Sequence, residues 1–161
     1  MEAGGLDIWV ETDGVGRVAG ALETVISRVA DLRPAWAELH RDWRAHEQML
    51  FHTQGRSVGS PWPMLSLRYA AWKAKFFPGK TILRRTDRLF CSLTAAQHPE
   101  QLLVARRHSL EMGTKVPYAV YHQGTGRLAG RGQPTRPVVV MTSAAIHEAV
   151  SRLHRYLWSP L

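Results

Sequence analysis

The sequence predicts a single α+β domain, a small antiparallel or mixed sheet packed by an N-terminal helical hairpin and a C-terminal helix. Three observations predict it. Apolar residues recur at helical spacing through the first third of the chain and again at its end. Two short strand-like segments flank the polar Arg106-Arg107-His108-Ser109, as in a hairpin. Short runs of strand character also stand near both ends, at Leu6–Glu11 and Val138–Met141. With 161 residues, 45% of them apolar, the chain is long enough for one hydrophobic core and short for two. It divides into a strand and helical hairpin (1–51), a central region (52–141) and a C-terminal helix (142–161).

In order, Leu6 to Glu11 alternates apolar and polar residues like a half-buried strand, and Thr12 to Arg17 reads as a turn. Val18, Leu22, Val25, Ile26, Val29 and Leu32 then form one helical stripe. Pro34 ends that helix and suits the first turn of the next, whose stripe is Trp36, Leu39, Trp43 and Leu50. Glycines and prolines make 52–63 a loop, with Trp62 as a plug on the core. Ser66 can cap a helix running through Phe76, with Tyr69, Trp72 and Phe76 on one side. Thr86-Asp87 can cap a short helix carrying Leu89, Phe90 and Leu93. Gln101–Ala105 and Leu110–Met112 read as the hairpin strands, and Tyr118–His122 as a short helix. A long Gly/Arg loop, 124–134, follows. Val138–Met141 reads as a buried strand, and Ser143 as the cap of a last helix with Ile146, Val150, Leu153 and Leu157 on its apolar face.

The net charge of +8 calls for anionic surroundings, either nucleic acid or an acidic protein surface. The excess is mainly arginine, which suits carboxylates as well as phosphates. No apolar run approaches the ~20 residues of a membrane span, and no signal peptide is visible at the start. The single cysteine, Cys91, excludes an internal disulfide and fits a reducing compartment.

Several motifs fail on physical grounds. Gly14-Val15-Gly16-Arg17-Val18-Ala19 resembles a dinucleotide fingerprint, but a second helix follows where a parallel strand is required. Ala74 to Thr81 ends in Gly79-Lys80-Thr81, yet its Phe76, Phe77 and Pro78 cannot cradle a phosphate through small residues and free N–H groups. His46-Glu47 and His147-Glu148 lack a second histidine four residues on, so neither makes a zinc helix. No catalytic residue, cofactor or metal ligand is expected.

The stretch from Gly113 to Pro137 has the character of a contact surface. Tyr118, Tyr121, His122 and Gln123 lead into a loop carrying Arg127, Arg131 and Arg136. Arg84, Arg85, Arg88, Arg106 and Arg107 form further basic surfaces, facing either DNA or an acidic partner.

Four segments together resemble the phage virion-morphogenesis, or tail-completion, family. They are Trp62-Pro63-Met64-Leu65-Ser66 with Tyr69 and Lys73 or Lys75; Ile82-Leu83-Arg84-Arg85-Thr86-Asp87-Arg88-Leu89 with Ser92; Gly113 with Tyr118-Ala119 and His122-Gln123-Gly124; and Arg136-Pro137. Their order and approximate spacing match from Phe51 to Met141. Asp87 departs from a usual Gly, Gly124 follows Gln123 directly, and Pro134-Thr135-Arg136 replaces Pro-Ala-Arg. The resemblance implies a non-enzymatic virion protein, assembled in the host cytoplasm, that acts at the neck in tail completion and head–tail joining. It implies a ring of copies, commonly a hexamer, around the DNA channel. Its partners would be neck, adaptor or stopper proteins, tail tube proteins and genomic DNA in the lumen, with no membrane and no small-molecule substrate. The alternative is a basic nucleic-acid-binding module that is no part of a virion.

Overall fold

A computed structural model describes residues 13–124 and 134–159. Its longest element, the helix α2 (Arg33–Thr53), is the spine on which the rest packs. Pro34 sits in its first turn, where a missing N–H costs nothing. Trp36, His40, Trp43, Glu47 and Leu50 recur at intervals of four and three along its buried face. The spacing is the one expected, but two of these positions hold ionisable groups. The helix ends at Gln54 and Gly55, both with positive φ, and Gly55 N donates to Leu50 O. A Cβ on Gly55 would lie 2.1 Å from Ser60 O, so the turn requires glycine.

A 3-10 turn (Arg56–Val58) leads to Trp62, which plugs the core as expected and meets Phe51 edge-on at 5.2 Å. Helix α3 (Leu67–Phe76) starts at Ser66, whose Oγ accepts from Tyr69 N. Helix α4 (Arg88–Thr94) buries Leu89, Ser92 and Leu93. The strands β1 (Gln101–Ala105) and β2 (Leu110–Thr114) pair antiparallel, Gln101 opposite Thr114 and Ala105 opposite Leu110. Ser92 Oγ joins α4 to β2 by a 2.7 Å hydrogen bond with Thr114 Oγ1. The short α5 (Ala119–Gln123) and the C-terminal α6 (Ser143–Trp158) complete the described chain. One core runs through it: Trp43, Leu50, Phe51, Trp62, Ile82, Leu89, Leu93, Val116, Ala119 and Val138. The fold is thus α+β and mostly helical.

Four expectations are corrected. The segment from Asp13 to Arg17 is no turn; it is the first turn of α1 (Asp13–Ala30). The apolar spacing extends upstream through Val15, and continuity of that pattern outweighs the cost of about 1 kcal/mol for each helical glycine. Residues 138–141 make no strand, since the two strands of the sheet pair only with each other among the described residues. Thr142, one residue earlier than Ser143, caps α6 by accepting from Ala145 N at 3.1 Å. Asp87 holds the N-cap position of α4 but makes no capping hydrogen bond, because φ +57° turns its carboxylate towards Arg84 and Lys80. The strand expected at Leu6–Glu11 lies outside the described residues.

The apolar stripes of α1 and α6 exist, but only Val25, Leu153 and Leu157 are half-buried and much of the rest faces outward. Val15, Val18, Leu22, Ile26 and Val29 are 47–68% exposed, and Ile146 and Val150 are similarly open. Polar contacts add to this limited packing in holding both helices. Arg28 donates to Leu157 O and Ser159 O, and Tyr156 Oη donates to Asp31 O. Arg152 of α6 pairs with Asp42 and Glu38 of α2.

Glu47 is fully buried, and neither of its carboxyl oxygens has a hydrogen-bond partner. Burial raises its pKa to about 8, so it folds as the neutral acid. A carboxyl raised on folding stabilises least when ionised: stability is complete below its ordinary 4.5 and is lost as pH climbs towards 8. Burial lowers His40 and His122, which act in the opposite sense only below their ordinary 6.5. Between those limits, wild-type unfolding free energy is expected to fall by about 1 kcal/mol per pH unit. Glu47→Gln should remove that slope. Urea unfolding of both proteins across pH 6.5 to 8 checks it, and equal slopes would count against a buried neutral acid.

Candidate functional site

The four segments quoted from the sequence converge on one side of the molecule, and residues 134–139 are the strip that joins them. Among the described residues this strip pairs with no strand, so side chains satisfy its peptide groups. Gln123 is its clamp: Oε1 accepts from Val138 N (3.1 Å) and Val139 N (3.0 Å), while Nε2 donates to Val139 O (2.6 Å). Trp62 Nε1 donates to Pro137 O at 2.9 Å. Arg136 donates from its backbone to His122 O, and from Nε and Nη2 to Pro63 O and Met64 O.

These bonds place several predicted contact residues inside the fold. Arg136 is 6% exposed, which corrects the expectation that it lies on an open surface. Its two carbonyl partners belong to the Trp62-Pro63-Met64 segment and draw it inward. The Gln123 amide is likewise engaged within the chain. Tyr118 and Tyr121 are on the surface, at 36% and 43% exposure. His122 is half-buried, packs edge-on to Tyr118, and its buried Nδ1 has no hydrogen-bond partner. Arg127 and Arg131 lie outside the described residues.

The helix–loop–helix side of the site is held by an unusual backbone. Leu83 and Asp87 both adopt positive φ, +61° and +57°. Asp tolerates that region better than most residues, which accounts for a position where glycine is usual. Its carboxylate then bridges Arg84 (2.8 Å) and Lys80. Gly124, which caps α5, has φ +71°, and a Cβ there would lie 2.3 Å from Thr135 Cγ2. Close passage of the strip 134–139 over the end of α5 therefore depends on a glycine directly after Gln123.

The result is a cleft of ≈ 600 Å³ lined by Leu65, Tyr69, Lys73, Leu83, Arg85, Thr86, Arg88, Tyr118, His122 and Arg136. Of the expected contact residues it collects Tyr118, His122, Arg136, Arg85 and Arg88. Tyr121 is not among its lining residues, and Arg106 and Arg107 stand apart on the hairpin turn. Tyr69 and Lys73 were read from the sequence only as helix positions and family marks. Their spacing of four on α3 was the signal that both face one way.

The electrostatics of this cleft are one-sided. Lys73 is buried, and its ammonium donates to Thr81 O. Burial, and then the neighbouring Arg85, push Lys73 below the ordinary lysine range. Burial also lowers Arg136, and burial together with Arg136 lowers His122. Of the other arginines, Arg88, which also lines the cleft, pairs with Glu100, Arg84 with Asp87 and Arg106 with Glu111.

Replacing Gln123 by leucine orphans two backbone donors and one acceptor, and is expected to cost at least about 2 kcal/mol. The midpoint of urea unfolding should fall with its slope unchanged. At Asp87, glycine should lie within about 1 kcal/mol of wild type, since released backbone strain offsets the lost ion pairs. Valine should cost about 1–3 kcal/mol, because a β-branched residue resists positive φ. Equal stability of the two variants in thermal unfolding would contradict the backbone argument.

Comparison with curated proteins and with solved structures returns no match. The model of the phage virion morphogenesis family matches residues 13–157, from the start of α1 nearly to the end of α6. A match over that span covers every described element, including the cleft and the strip that builds it. The chain therefore belongs to the phage virion morphogenesis family, and its role is a structural one in assembly of the phage virion.

Proposed function

We propose that the protein acts at the phage neck in tail completion and head–tail joining, and that copies of it associate head-to-tail into a ring around the DNA channel. One observation carries this reading: the chain presents two separate apolar surfaces of different make-up. The first is the aliphatic stripe of α1, Val15, Val18, Leu22 and Ile26, together with Ile146 and Val150 of α6. The second is the aromatic row of α3, where Tyr69 stacks on Trp72 at 5.4 Å and Phe76 follows at 5.5 Å. Met64 and Leu67, 81% and 90% exposed, extend that row.

Exposed apolar area of this extent on a small chain marks contact with other chains. Two unlike patches suit a heterologous contact, in which one patch of each copy meets the other patch of the next. Such contacts close into rings when the rotation between copies closes. A C2 dimer would need only one self-complementary patch.

This asymmetry has a specific test. Ile26→Glu spoils the aliphatic patch and Trp72→Glu the aromatic one, and both residues are exposed enough for the monomer to fold. By mass measurement in solution, wild type is expected to form closed oligomers and each variant to remain a monomer. An equimolar mixture should form dimers and nothing larger, because each pair has one intact contact. Oligomers of wild-type size from either variant alone would remove the basis of the proposal.

A further inference from the structure

We propose that the cleft between α3, α5 and the strip 134–139 is a receptor for a carboxylate, carried into it by an acidic segment of another virion protein. Two cations at its base are more than nine-tenths buried, Lys73 at 4% and Arg136 at 6% exposure. Among the described residues no carboxylate lies within 4.0 Å of either. The Asp87 carboxylate, which favours charged Lys73 from farther off, is already committed to Arg84 and Lys80, so the cluster has no counter-ion of its own, a costly arrangement for buried charges.

Donor capacity remains at the site. Lys73 uses one of its three ammonium hydrogens on Thr81 O, and Arg136 binds carbonyls through Nε and Nη2 only. His122 adds its unpartnered, buried Nδ1, which donates in the tautomer protonated there. Arg85 stands exposed at the rim. An anion here would receive charge-assisted hydrogen bonds and relieve the repulsion among Lys73, Arg85 and Arg136.

The shape favours a carboxylate on a side chain over the phosphates of duplex DNA. A duplex is convex, and its phosphates are contacted by rows of exposed cations. Here Lys73 and Arg136 are recessed, and Arg88 at the same cleft is already ion-paired with Glu100. Leu65, Leu83, Tyr69 and Tyr118 line the walls, where they can receive the methylene stem of a glutamate. The segment should come from a different protein. Among the described carboxylates, Asp31, Asp42, Asp87, Glu100 and Glu111 are paired inside their own molecule, Glu38 and Glu148 lie within 4.0 Å of Arg152, and Glu47 is buried, while a net charge of +8 on each copy opposes the approach of a second one.

The test uses the full chain and a fluorescent hexaglutamate peptide with an amidated C-terminus, followed by anisotropy. Wild type should bind the peptide, and Arg85→Glu should weaken binding at least about tenfold. Lys73→Met, which keeps the stem and removes the charge, should do the same while far-ultraviolet circular dichroism stays native. Arg107→Glu, an equal change of charge on the hairpin turn, should leave affinity within about twofold, as expected of a charge remote from the site. Because Arg85 is exposed, its variant folds even if the Lys73 variant does not. Absent peptide binding, equal weakening by Arg107→Glu, or tighter binding of a short DNA duplex that Arg85→Glu abolishes would each overturn the proposal. The binding is read on the chain itself, so its outcome does not depend on ring closure.

Discussion

The unpaired strip 134–139 is the constraint on which the rest of this structure depends. A buried segment outside any sheet has peptide groups that must find partners, and side chains supply them here. Gln123 satisfies three of its groups, Trp62 a fourth, and Arg136 ties it to the carbonyls of Pro63 and Met64. Through these bonds the loop after α2, the short helix α5 and the approach to α6 become one unit. Gly124 is part of the same requirement, because nothing larger fits between α5 and Thr135.

That weave also sorts the positive charge. Five of the described arginines, Arg33, Arg84, Arg88, Arg106 and Arg152, lie beside a carboxylate of the same chain, an arrangement that contributes little to stability and mutes their reach. Arg136 and Lys73 are different. They are drawn inward by backbone carbonyls, which satisfy their hydrogen bonds but not their charge. Two populations thus stand out among the cations, arginines at the surface, some of them ion-paired, and a pair recessed in the cleft. Only the second can give strong directional recognition, since a low local dielectric strengthens each contact made there.

Apolar residues divide in a similar way. The face of α2 is buried against α4, Trp62 and the strip, whereas α1, α3 and α6 leave theirs open. α6 has no buried residue at all and is secured by Arg152 and the contacts of Arg28 and Tyr156. Helices that keep an apolar face outward, yet are oriented by polar contacts, are organised for other chains more than for their own core. This agrees with a family whose members build virions.

The sequence by itself determined the local elements: the Pro34 start of α2, the Ser66 cap of α3, the hairpin across 106–109 and the Trp62 plug. Each follows from sterics or hydrogen bonding within a few residues, which periodicity and composition report. It also carried the family, through four short segments in order. Only the tertiary structure decided which faces are covered. The glycines at 14 and 16 read as a turn until a continuous apolar stripe made them helical, and Val138 to Met141 read as a strand although it pairs with none among the described residues. Arg136 read as a surface contact, and Glu47 only as part of a failed zinc motif, because no local pattern tells whether a side chain meets solvent, carbonyls or a core. Burial is a long-range property, set by segments some seventy residues apart such as Pro63 and Arg136. Sequence periodicity extends over a turn or two of helix, and that difference in range separates what could be read from what had to be seen.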